Sequence, residues 1–153
     1  ALLNYYFGSK ENLFKIVVKE KFKMLIEVMA PILSDTTIPL RDKVESITNN
    51  YTQLLLENEE LPIFVLNEWS VNKEMFAEIT LNARKIAQPV IENQLKESGL
   101  ELSVADFITN ILGLIMFPFV AKQLIISSGL IKEEEFITFV TERKDKIIAW
   151  ILK

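Results

Sequence analysis

The chain has 153 residues, half of them hydrophobic and a quarter charged, with four Gly, five Pro and a formal net charge of −4. That length suits one domain able to bury roughly 70% of its unfolded surface, and the composition excludes a disordered chain. The absence of cysteine and histidine excludes disulfides, thiolate or imidazole metal sites and the commonest general base.

Apolar residues recur at spacings of three and four along the chain, which predicts an all-α fold. Ser9 is a good N-cap, and the helix after it carries Leu13, Phe14, Val17, Val18, Phe22, Leu25 and Met29, with Pro31 just beyond its expected end. Asp35 to Pro39 is a polar connection. A second helix shows Leu40, Val44, Ile47, Tyr51, Leu54 and Leu55 and stops at Glu57 to Glu60. Pro62 suits the first turn of a short helix ending at Trp69.

Asn72 is the expected cap of a fourth helix bearing Met75, Phe76, Ile79, Ala83, Ile86, Val90 and Leu95, which Pro89 should bend or locally break. Ser98-Gly99 ends it. Ser103 is placed to cap a fifth helix from Val104 to about Ile126, apolar on nearly every face. Its most apolar run, Ile111 to Ala121, covers only about 16 Å against roughly 30 Å of bilayer hydrocarbon. Gly129 separates it from a last helix, about Glu133 to Leu152, whose opening glutamates favour a helix N-terminus. No signal peptide is visible, and a cytoplasmic location is expected.

Charge is unevenly spread. Residues 1–23 hold five Lys and two Glu, whereas the remainder holds twelve basic and nineteen acidic residues. A basic end on an acidic body suits a protein that meets nucleic acid with its N-terminal part.

That basic end carries the most specific pattern in the chain, Leu3-Asn4-Tyr5-Tyr6-Phe7-Gly8-Ser9-Lys10-Glu11-Asn12-Leu13. It resembles the end of the recognition helix and the start of the linking helix in tetracycline-repressor-like (TetR) regulators. Their pattern runs roughly Leu-Tyr-x-(His or Tyr)-Phe-x-(Ser or Asn)-Lys-x-x-Leu, and this chain departs from it at Asn4. The resemblance implies that about 40 residues of a three-helix DNA-binding domain precede this point in the family. It also implies a division into 1–23, the remnant of that domain with the start of the linking helix, and 24–153, a helical ligand-binding and dimerisation domain.

By the same resemblance Tyr5 faces bases, where an aromatic ring can pack on a thymine methyl. Tyr6 contacts a phosphate, Asn4 keeps hydrogen-bonding ability where the family has Tyr, and Phe7 anchors the recognition helix. Lys10 follows the Ser9 cap, where free backbone N–H groups and an ammonium together suit a phosphate.

The resemblance further implies a pocket among the helices of the body. The aromatic side chains and nearby polar handles make Tyr51, Leu54, Phe64, Asn67, Glu68, Trp69, Ile86, Phe107 and Asn110 the expected ligand-binding residues, with an apolar or aromatic small molecule as ligand. A cation held by Glu68 and the Trp69 ring is a less favoured alternative. Helices 104–126 and 133–152 carry more apolar surface than one monomer face needs, so a homodimer is expected, matching a two-fold symmetric double-stranded DNA operator. No membrane partner, metal or cofactor is expected. The Glu57, Glu59 and Glu60 cluster reads as a solvated helix end, and without His, Cys or a phosphate loop the chain is not expected to be an enzyme. The alternative reading is a helical module that binds a lipophilic ligand or a protein partner and no DNA.

Overall fold

The computed structural model describes Leu2 and residues 8–153, and among these the secondary structure is entirely helical. From residue 8 onward the described residues form seven α-helices: α1 Lys10–Ser34, α2 Leu40–Glu57, α3 Leu61–Trp69, α4 Lys73–Ser98, α5 Val104–Val120, α6 Lys122–Ser127 and α7 Phe136–Ile151, with a 3-10 turn at Glu133–Glu135. None of the described helices is long and apolar enough to cross a membrane.

The ends follow local chemistry. Ser9 Oγ accepts from the Asn12 amide at 3.1 Å and opens α1. Ser103 and Asp106 form a reciprocal capping box at the start of α5, with Ser103 Oγ 3.0 Å from the Asp106 amide. Gly99 closes α4 in the left-handed region at φ 71°, where a side chain would be strained. Asn72 precedes α4 but makes no cap bond; its amide instead donates to Glu68 Oε2 at 3.2 Å.

Packing places α2 at the centre. It touches α1, α4, α5 and α7, and it buries Leu40, Val44, Ile47, Tyr51 and Leu55 along a stripe of three- and four-residue steps. The longest pairing is α1 along α4, where Phe22 meets Phe76 edge-on at 4.4 Å between ring centroids. α5 and α7 pair on the other side of α2, and Phe119 packs edge-on against Phe136.

Three prolines lie inside helices. Pro31 does not end α1, which runs one further turn to Ser34. The reason is tertiary: Leu33 is buried, and the ammonium of Lys43 donates to the carbonyls of Leu33 at 2.8 Å and Asp35 at 2.5 Å. Those carbonyls belong to the group that every helix C-terminus leaves without a partner. Lys43 itself is fully buried. Desolvation draws its pKa down, and the nearby Asp35 carboxylate partly opposes this. Pro89 likewise leaves α4 unbroken.

Pro118 lies near the end of α5, and the helix closes two residues later, so the single fifth helix expected to Ile126 is two pieces meeting at Ala121. A proline has no N–H to give the carbonyl four residues back, which here is that of Leu114. Arg143 of α7 supplies the missing donor, its guanidinium reaching the Leu114 oxygen at 3.3 Å. The same guanidinium lies over the rings of Phe139 and Trp150, at 5.4 and 5.2 Å from their centroids. Nearby, Lys122 bridges to Glu59 at 2.6 Å and sits 4.6 Å above the Phe136 ring.

Tyr51, 2% exposed, donates its hydroxyl to the Leu25 carbonyl and so ties the middle of α2 to α1. Burial pushes its phenol well above the ordinary value of 10.0. The folded chain therefore holds this proton at pH values where the unfolded chain has released it. The stabilising contribution is complete below about pH 10 and is lost as pH rises beyond that. Tyr51→Phe should cost about 1 kcal/mol at neutral pH. It should also reduce the fall in stability between pH 10 and 11, measured by urea unfolding against the parent chain; an unchanged slope would contradict this burial.

Arg143→Met should cost about 1–2 kcal/mol by leaving the Leu114 carbonyl unpaired. Combining it with Pro118→Ala, which restores a local donor, should shrink that cost by about 1 kcal/mol in a thermodynamic cycle. Strictly additive costs would sink the account of Arg143 as the replacement donor.

Candidate functional site

Between α1, α4 and α5 lies a cavity of about 500 Å³, within the size range of small-molecule sites. Each wall is a helical ridge. α1 contributes Ile26, Met29, Ala30 and Leu33; α4 contributes Ala83, Ala87 and Ile91 at four-residue steps; α5 contributes Val104, Ala105 and Ile108. Thr80, Arg84, Gln88 and Thr109 supply the polar lining.

The space exists because small residues meet there. Ala30, Ala83, Ala87 and Ala105 come from three helices and place methyl groups where longer side chains would fill the volume. The ridges are continuous with the core, since Met29, Leu33, Ala87 and Ile91 are all buried.

None of the nine residues expected from sequence lines this cavity. Tyr51 and Phe107 are buried in the core, and Leu54 and Phe64 pack against it. Asn67 and Asn110 are exposed. Glu68 accepts from Asn72, and Trp69 beside it is 54% exposed and lies against Phe76 at 6.4 Å, so these two form a surface pair at the end of α3. Ile86 is 64% exposed because α4 turns Phe76, Ala87, Ile91 and Leu95 inward. The face lies one residue on from the Ile86–Val90 row read from the sequence.

The aromatic side chains mislead for a physical reason: large rings fill a core, whereas a cavity is made by residues too small to fill it. The legible signal was the pair Ala83 and Ala87, four residues apart on one face of the helix and followed at the same step by Ile91.

A second, smaller cleft of about 280 Å³ holds Lys21, Glu57, Asn58, Glu59, Glu60, Leu61 and Phe64. Two of its three carboxylates are engaged in side-chain contacts: Glu57 accepts from Gln53 at 2.7 Å, and Glu59 pairs with Lys122. Among the described residues there is no group of acidic side chains that could hold a metal ion.

At the N-terminal end, Lys10 is the first residue of α1 and is exposed beside the Ser9 cap. Lys15, Lys19 and Lys23 follow as exposed residues at four-residue steps along α1. Phe14, Ile16 and Val17 are also exposed there, at 46%, 42% and 39%. Asn4, Tyr5 and Tyr6 lie outside the described residues. No protein-family model, curated protein or solved structure matches the chain.

Proposed function

We propose that this chain carries the ligand-binding and dimerisation body, with the adjoining end of a DNA-reading helix, of a one-component transcriptional repressor similar to the TetR family. One observation carries the reading beyond the sequence motif. α1 is a single helix of 25 residues whose first turn bears Lys10 of the motif and whose second half, through Ile26, Met29, Ala30 and Leu33, walls the apolar cavity. A ligand that prefers one tilt of α1 thereby biases where the DNA-contacting end sits. A ligand bound equally by both arrangements would shift nothing, so regulation rests on differential affinity.

The exposed apolar flank of α1 at Phe14, Ile16 and Val17 supports a neighbouring helical domain packing there. The dimer is supported by apolar side chains left exposed along the C-terminal helices: Phe117 on α5, Leu124 on α6, Ile137 and Trp150 on α7. Two such helix pairs related by a two-fold axis make a four-helix interface and set two recognition helices about 34–36 Å apart. The alternative, a lipophilic-ligand module that binds no DNA, draws on the cavity alone and leaves the basic end of α1 without a role.

Selection from a random duplex library, using the protein expressed from its native reading frame, should enrich a palindromic sequence with half-sites one helical turn apart. Lys10→Ala should weaken binding about threefold to tenfold for a lost phosphate contact. Failure to enrich any sequence would overturn the regulator reading. Sedimentation velocity at micromolar concentration should give a dimer, and the pair Phe117→Glu with Ile137→Glu should give a folded monomer; a monomeric parent chain would remove the interface.

A further inference from the structure

The α4 wall of the cavity is two parallel rows. Ala83, Ala87 and Ile91 form the apolar row, and Thr80, Arg84 and Gln88, also at four-residue steps, form a polar row beside it. Arg84 is the one charged side chain among all those lining the cavity. It is exposed, and none of the ion pairs among the described residues engages it. Thr80 spends its hydroxyl proton on the Phe76 carbonyl at 2.9 Å, so the donors this row can turn to a ligand belong to Arg84 and Gln88.

From this charge pattern we propose that the cavity takes a fatty monocarboxylate. Its alkyl chain lies among Ala30, Ala87, Ile91 and Ile108, and its carboxylate meets Arg84 at the edge with Gln88 beside it. The inference rests on the proposed ligand-controlled function and names the ligand class of its cavity. A guanidinium presents two parallel N–H groups in the geometry of a carboxylate, and its weak hydration makes it the cation suited to an apolar border. Among the cavity-lining residues there is no acid, so a cationic amphiphile finds no partner and meets Arg84 as a like charge. A neutral alcohol keeps the chain contacts and forgoes the ion pair.

Laurate, dodecanol and dodecylamine share one alkyl chain and differ in the head group, so titration calorimetry of the full chain below micellar concentrations separates the contributions. Laurate should bind with a dissociation constant of about 1–10 μM, more tightly than dodecanol, with dodecylamine weakest. Arg84→Gln should weaken laurate roughly tenfold and leave dodecanol unchanged. Ala87→Phe or Ala83→Phe, checked by circular dichroism to be folded, should abolish both. Decanoate should bind roughly tenfold more weakly than laurate for its two missing methylenes.

Dodecylamine binding as tightly as laurate, or an Arg84→Gln effect equal on laurate and dodecanol, would overturn the carboxylate assignment. If the cavity variants still block dodecanol in that case, the ligand-binding reading stands. If none of the three compounds binds, the fatty-ligand inference falls, while the duplex selection judges the regulator independently.

Discussion

The ammonium of Lys43, buried with no exposed surface, holds the end of α1 against α2 by bonding the Leu33 and Asp35 carbonyls. A helix that contains Pro31 three residues from its end has already given up one internal hydrogen bond, and its last carbonyls would otherwise be stranded in the core. Burying a charge is costly unless its donors are used, and here two of the three are turned on backbone oxygens. With the last turn secured, Leu33 stays buried and forms part of the cavity wall. Thr37 strengthens the corner by donating its backbone N–H and its hydroxyl to Asp35 Oδ1, at 2.7 and 2.6 Å, which holds the Asp35 carboxyl below its ordinary value.

The same solution recurs elsewhere in the body. Tyr51 bonds the Leu25 carbonyl midway along α1, Arg143 bonds the Leu114 carbonyl beneath Pro118, and Gln94 reaches the Ile38 carbonyl at 2.9 Å to pin the α1–α2 connection to α4. Each is a long polar side chain from one helix bonded to the backbone of another element. An all-helical fold without disulfides has no interstrand ladder to align its elements, so these bonds add direction to apolar packing that by itself is non-directional. Some buried polar atoms in and around these contacts are left unpaired. Thr48 Oγ1, Gln94 Oε1 and Arg143 Nε are buried without a hydrogen-bond partner.

The consequence for function lies in α1. Its N-terminal half carries the basic, partly apolar surface that includes Lys10 and Phe14, and its C-terminal half is at once core and cavity wall. In the proposed mechanism α1 acts as a stiff rod, and a ligand-induced change of packing at Met29 or Leu33 would reach Lys10 as a tilt. The cavity is bounded by ridges whose small residues leave space, and its border includes one unpaired cation.

Local chemistry alone determined much of the architecture. Ser9, Ser103 and Gly99 mark helix ends that reappear in the structure, because caps act through bonds within a few residues. The all-helical class was equally legible, since the three- and four-residue spacing is a property of the chain itself. Tertiary packing alone decided the rest. Spacing defines a broad apolar arc and leaves its centre open by a residue, which is how Ala87 and Ile91 face inward while Ile86 faces solvent. The survival of α1 past Pro31 depends on Lys43 ten residues beyond Leu33, and the bond that replaces the one lost at Pro118 depends on Arg143, on another helix. The cavity is the extreme case: it is a shortage of side-chain volume summed over Ala30, Ala83, Ala87 and Ala105, and such a sum exists only once three helices have been brought together.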